Sequence, residues 1–265
     1  MSTAQLVLDQ EFTQAWKQSP YFFEAPVVEF DMSLFTFERV QALMPEMKPC
    51  DVIYRDASGG VNAAMRRLPD VNFSEGSLKS RLDSETSSLM LQDVQKYEPA
   101  YAETLDMLID WVASQIGIAR SKIYRPSASF FLSSPNAVSS YHTDREENFL
   151  CQMHGVKTVH VFPKHYSLIQ ELAAATFRKR KGMHFEYQPE FEENAQVYTL
   201  QPSNCLYMPR IWPHWVQNGE YSSLSLSLNF FLAGDLAIEK YYLANNKLRR
   251  LFVNRIAGAL KGGRG

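Results

Sequence analysis

Two rhythms of apolar residues divide the chain. Leu105, Leu108, Ile109, Val112 and Ile116 recur at steps of three and four, with Gly117 just behind them. That spacing predicts a helix over residues 101–116 with a glycine stop. A shorter helix is predicted over residues 35–44, ending before Pro45. A strand is predicted over 52–54, followed by the turn-forming run Asp56-Ala-Ser-Gly-Gly60. After Lys122 the rhythm shortens to that of strands, over 130–133, 141–144, 148–153, 156–162, 196–200, 204–208 and 223–231. Gly155 separates two of these, as a hairpin requires. In 223–231 the alternation is strict, with Leu224, Leu226 and Leu228 on one face and Ser223, Ser225, Ser227 and Asn229 on the other. It predicts one apolar packing face and one polar cavity face. Short strands in series point to a sandwich or a barrel. Beyond Asp235 a helical stripe returns through Leu248, Leu251, Phe252, Ile256 and Leu260.

Composition narrows this modestly. The 265 residues are 45% hydrophobic and 21% charged, enough for one globular domain with a small appendage. A net charge of -2 gives no electrostatic case for nucleic acid as a bulk partner. The basic run from Arg178 to Lys181 reads as a solvated loop or helix end. Cys50, Cys151 and Cys205 are widely spaced and form no C-x-x-C pair, so they read as reduced, idle thiols. The first residues lack the charged-then-apolar order of a signal peptide, and no stretch approaches the ~18 apolar residues of a membrane span. A cytoplasmic protein is expected.

The chemistry lies in Tyr141-His142-Thr143-Asp144, answered downstream by Pro213-His214. Residues two apart on a strand point the same way, so His142 and Asp144 can aim together into a barrel. A third ligand from a distant strand would complete two imidazoles and one carboxylate on one side of a metal. That donor set leaves positions open and suits non-haem Fe(II). The H-x-D pair alone arises often by chance, and its strand context gives it weight. After the Gly155 turn, Lys157, Val159 and Val161 share one face of a strand. A lysine turned into a barrel is costly unless it meets an anion. By the same alternation His160 faces away, and it reads, like His154, His165 and His184, as structural or exposed.

Residues 139–163, with Pro209-Arg-Ile-Trp-Pro-His214 and Asn229, resemble the JmjC and cupin-like hydroxylases. Within that group the motifs are most similar to the asparaginyl hydroxylase type that acts on hypoxia-inducible factor. The resemblance implies a double-stranded β-helix, or jelly roll. The expected fold is mainly β with flanking helices. Residues 1–234 form the oxygenase domain with an N-terminal α/β layer, and residues 235–265 a helical extension that joins two copies into a homodimer. It implies an enzyme using Fe(II), 2-oxoglutarate and O2, with His142, Asp144 and His214 as metal ligands. Lys157 and Ser139 correspond to the residues that hold the distal carboxylate of 2-oxoglutarate. Asn148 and Asn229 correspond to cavity asparagines at the reacting centre, Asn229 also touching the co-substrate, and Trp212 to an aromatic wall. A strand tyrosine of that family aligns with Met90, and Tyr124 or Ser88 is expected to replace its hydrogen bond. The substrate implied is a peptide or protein side chain. The alternatives are a small molecule, a natural product or a tRNA base under the same chemistry, or a metal-binding cupin without it.

Overall fold

The computed structural model describes residues 9–24, 31–64, 66–68, 76–163, 183–184 and 186–235. The expected C-terminal helix with its dimer contact, the 178–181 run and His165 lie outside these residues.

Four helices and twelve strands occur among the described residues. They run α1 (Gln10–Ala15), β1 (Tyr21–Phe23), α2 (Phe37–Leu43), β2 (Val52–Asp56), α3 (Leu78–Ser84), β3 (Ser87–Leu91), α4 (Pro99–Gln115) and β4 (Ile123–Ser133). Then follow β5 (Val138–Thr143), β6 (Glu147–His154), β7 (Lys157–Val161), β8 (Met183–His184), β9 (Gln196–Leu200), β10 (Cys205–Met208), β11 (His214–Asn218) and β12 (Ser223–Leu232). All strand pairs are antiparallel. They form a seven-stranded sheet, β1-β10-β6-β12-β4-β3-β2, and a five-stranded sheet, β8-β5-β11-β7-β9. This is the expected jelly roll with flanking helices.

Strand alternation sorts the apolar residues into two cores. Leu224, Leu226 and Leu228 of β12, with Phe130 and Leu132 of β4 and Phe149 of β6, face outward onto α4 and the N-terminal segments. Each of these buried leucines contributes roughly 1.5–3 kcal/mol. The second, smaller core lies inside the roll and holds Leu150, Val159, Val161, Leu200, Leu206, Met208 and Trp212. Neighbours Phe149 and Leu150 thus serve different cores. α4 starts with Pro99 in its first turn and packs Leu105, Leu108, Ile109 and Val112. Gly117, at φ +64, ends it, and the Ile118 amide caps the Ala113 carbonyl at 3.0 Å.

The three serines of the polar face of β12 are buried, and Asn229 at its end is partly exposed. Ser223 donates to Asn218 Oδ1, and Ser225 donates to Gln152 Oε1 at 2.6 Å. Ser227 accepts from the amides of Asn148 and Asn229. Buried hydroxyls are tolerated here because each has a partner. At the β6–β7 turn Gly155 has φ +71, and a Cβ there would lie 2.8 Å from the Ser222 carbonyl oxygen. The hairpin therefore requires glycine.

The cysteine expectation is corrected in part. Cys205 stands directly opposite Cys151 across β10 and β6, with Cα atoms 4.1 Å apart, and the two form a disulfide. Cys50 is a free, exposed thiol. No helix among the described residues is long and apolar enough to cross a membrane.

Candidate metal centre

His142 and Asp144 sit at and just beyond the end of β5, and His214 opens β11 directly opposite His142. The strand pairing that zips the smaller sheet therefore brings a distant histidine onto the H-x-D pair. One donor atom from each of the three lies within 4.8 Å of the others. His142 Nε2 is 3.9 Å from Asp144 Oδ1, and His214 Nε2 is 3.7 Å from Asp144 Oδ2.

Both imidazoles are held in the tautomer a metal needs. His142 Nδ1 donates to the Ser140 carbonyl at 2.6 Å, and His214 Nδ1 donates to the Trp212 carbonyl at 3.0 Å. A carbonyl only accepts, so the proton is on Nδ1 and the lone pair on Nε2 points at Asp144. The loop carrying His214 is tied on both sides. The Ile211 amide donates to the Asp144 carbonyl at 2.9 Å, and the Phe162 amide donates to the Pro213 carbonyl at 2.9 Å. Ile211 has φ +65, an unfavourable conformation for a β-branched residue, placed where the loop turns back toward the ligands. Asn148 Nδ2 reaches Asp144 Oδ2 at 3.3 Å and Ser227 Oγ at 3.1 Å, steering the carboxylate. Its Oδ1 is buried without a hydrogen-bond partner.

A cavity of about 90 Å³ is lined by His142, Asp144 and His214. Ser139, Asn148 and Lys157 line it, as do Met90, Ser88 and Arg55. Lys157 is 4% exposed, and burial pushes its ammonium down to about 7. Among the described residues its Nζ has no hydrogen-bonded or ionic partner. A buried cation facing a cavity in that state is poised for an anion.

Residues 7–234 match the model of the cupin-like domain. The chain belongs to the cupin-like domain family. No curated protein matches it. Among solved structures this cupin-like chain is similar to E. coli ycfD, at 18% identity and a TM-score of 0.55, with 86% of this chain and 54% of that one covered. It is also similar to YcfD, a ribosomal oxygenase from Escherichia coli, in complex with cobalt and 2-oxoglutarate, at 16% identity and a TM-score of 0.55, covering 97% and 57%. The same protein with cobalt and succinic acid aligns at 17% identity and a TM-score of 0.52, covering 84% and 51%. The cupin-like chain spans about half the length of these solved relatives, and the likeness establishes the shared fold.

Within this cupin-like roll, the structure brings together His142, Asp144, His214, Asn148, Lys157 and Ser139 around one cavity. Trp212 is buried in the inner core, as a wall would be. Two expected residues fall elsewhere. Tyr124 is 41% exposed at the start of β4, paired with Phe231 and outside the cavity lining. The lining residues of β4 are Phe131 and Ser133 at its other end. Asn229 pairs with Asn148 across β12 and β6 but is outside the lining, its amide bonding Ser227 Oγ at 3.0 Å. It touches the site through Ser227 and Asn148. Arg55 is a lining residue that the sequence did not single out, because the strand expected there stops at Tyr54.

Proposed function

We propose that this protein is an Fe(II)- and 2-oxoglutarate-dependent oxygenase that hydroxylates a side chain of a protein or peptide. The observation that carries the reading is the pairing, in one cavity, of a two-histidine, one-carboxylate donor set with a buried, unpartnered lysine. The donor set fits Fe(II) in number, in chemistry and in the fixed tautomers of both rings. Bound there, iron and 2-oxoglutarate would supply O2 activation and the two electrons that balance the second oxygen atom.

The rest is work for the chain's own residues. His142, Asp144 and His214 would hold the metal at the cavity. Asn148 holds Asp144 through Oδ2. Lys157, with the Ser139 hydroxyl, receives the distal carboxylate of the co-substrate. Leu150, Val216 and Met208 give the cavity apolar walls that limit water. A metal-binding cupin without oxygenase chemistry has no use for Lys157 in this position.

The protein substrate is supported by the motif likeness to asparaginyl hydroxylases and by the fold shared with ribosomal oxygenases. On the same reading we place its action in the cytoplasm. The test is incubation of the iron-loaded enzyme with 2-oxoglutarate, O2 and a mixture of ribosomal and other cellular proteins. The expected result is succinate release together with a peptide that gains the mass of one oxygen atom. Succinate formed without any modified peptide, but accelerated by a small molecule or a tRNA, would move the substrate class. Absence of succinate under every condition would remove the oxygenase reading.

A further inference from the structure

The turn that delivers His214 puts isoleucine where turns ordinarily put glycine. Pro209 to Trp212 close a β-turn, the Trp212 amide donating to the Pro209 carbonyl at 3.3 Å, and Ile211 at its third position has φ +65. Glycine or asparagine fills a third position of that sign, and a β-branched residue there is strained. Such strain persists only where the surroundings over-determine it. Two groups hold this turn from outside. The Ile211 amide donates to the Asp144 carbonyl at 2.9 Å. The Arg210 amide donates to Glu147 Oε2 at 3.3 Å.

Glu147 opens β6 three residues after Asp144 and is 0% exposed. Burial pushes its carboxyl above the usual carboxylate range and Asp235 pushes the same way, while the Tyr207 hydroxyl, the Lys17 ammonium and the Arg210 amide draw it back. Oε2 accepts from Tyr207 Oη at 2.7 Å as well as from the Arg210 amide. Oε1 has no hydrogen-bond partner among the described residues, and Lys17 Nζ stands 3.8 Å from it. Lys17 also pairs with Asp235 at 2.8 Å. The Arg210 guanidinium lies 3.4 Å from Asp235 and donates through Nε to the Arg145 carbonyl at 3.0 Å. Replacing a buried charged group by an apolar one of like size is often neutral or better for stability, so packing does not account for Glu147.

The turn passes its shape to the metal centre. The carbonyl of Trp212, its last residue, accepts from His214 Nδ1 at 3.0 Å and so sets the ring whose Nε2 stands 3.7 Å from Asp144 Oδ2. We infer that Glu147 is a positioning residue for the metal centre: its Oε2, fixed by Tyr207, clamps the Arg210 amide and holds the strained Ile211 turn in the shape that aims His214 at Asp144. The inference rests on the oxygenase reading through its metal site and adds a residue behind it. The role asks for an acceptor oxygen and not for a charge.

The test titrates Mn(II) alone into the whole chain, reading free Mn(II) by its EPR signal, with urea unfolding of the same variants alongside. Glu147→Met keeps the bulk and removes the acceptor. It is expected to weaken Mn(II) binding roughly tenfold in protein that is still folded, the lower end of the loss seen when a group that orients a ligand is removed. Glu147→Gln keeps an acceptor oxygen and should stay within about threefold of the wild type. Tyr207→Phe, the gentler change should Glu147→Met fail to fold, frees Oε2 on one side and should weaken Mn(II) about threefold, the worth of one hydrogen bond. Wild-type Mn(II) affinity in Glu147→Met, or in Tyr207→Phe where it stands in, would overturn the assignment even if the urea midpoint fell. So would a Glu147→Gln variant as weak as Glu147→Met. A wild type that binds no Mn(II), or binds it no better than Asp144→Ala does, would instead bring down the metal centre and the oxygenase reading with it.

Discussion

Lys157 carries a proton that the protein holds loosely. Its ammonium is pushed down to about 7 by burial, from an ordinary 10.5. A dianionic co-substrate needs the charged form. Below about pH 7 the free protein already carries that proton, and above it the proton must be taken up as the ligand binds. Affinity for 2-oxoglutarate is therefore expected to fall about tenfold per pH unit above neutrality, until the pKa of the bound lysine is reached. Calorimetry from about pH 6.5 to 8.5 checks this, and a flat profile contradicts it. Asp144 faces the two Nε2 atoms with its two oxygens. Asp144→Ala leaves two neutral ligands and should abolish tight Fe(II) binding by the isolated protein, measured by retained iron after gel filtration under argon. The grouping of His142 with Asp144 is readable in the sequence because the two-residue step of a strand is enough to co-direct them. The place of Arg55 in the cavity lining is not readable, because it depends on the register of β2 against β3, which no local pattern encodes.

At the scale of elements, the ligand-bearing strands are braced from behind. Glu192 accepts from Trp215 Nε1 at 2.9 Å, from Tyr187 Oη at 2.8 Å and from His160 Nδ1 at 3.0 Å. Trp215 follows the ligand His214 on β11, His160 lies opposite Trp215 on β7, and the two rings stack at 3.9 Å. Burial pushes the Glu192 carboxyl upward, but these three donors outweigh it and hold the group below its usual range. The brace sits where β11 slips register against β5 between His214 and Val216. Glu192→Ala is expected to cost about 1–3 kcal/mol in urea unfolding and to weaken Fe(II) binding as β11 loosens. An unchanged midpoint with unchanged iron affinity would show that the brace is idle. Alternation alone puts His160 on the outer face, but its partner Glu192 lies 32 residues away in a short 3₁₀ segment that has no periodic signal. The serine–leucine alternation of β12 is legible in full, since each face serves a different environment. The disulfide is not, because Cys151 and Cys205 are 54 residues apart and meet only through the β6–β10 register.

At the scale of the molecule, the large sheet is fastened to its helices by the outer core, and the site occupies the gap between the two sheets. The outer core supplies stability, while the inner one is small and shares its space with the cavity. Ligands that bridge the sheets should therefore stabilise the whole fold. Saturation at about one hundred times Kd is worth about 2.7 kcal/mol, so Fe(II) with 2-oxoglutarate should raise Tm by several degrees, and the gain should vanish in Asp144→Ala. Iron and 2-oxoglutarate binding at this cavity is tested most directly by an anaerobic Fe(II) titration in the presence of 2-oxoglutarate, following the weak visible charge-transfer absorption of the chelate in the wild type and in Lys157→Ala. A band that saturates in the wild type and needs at least roughly tenfold more 2-oxoglutarate in the variant is the expected result, matching the removal of a charge-assisted hydrogen bond. Bound iron with no band in the wild type would rule out the oxygenase and leave a metal-binding cupin of another kind.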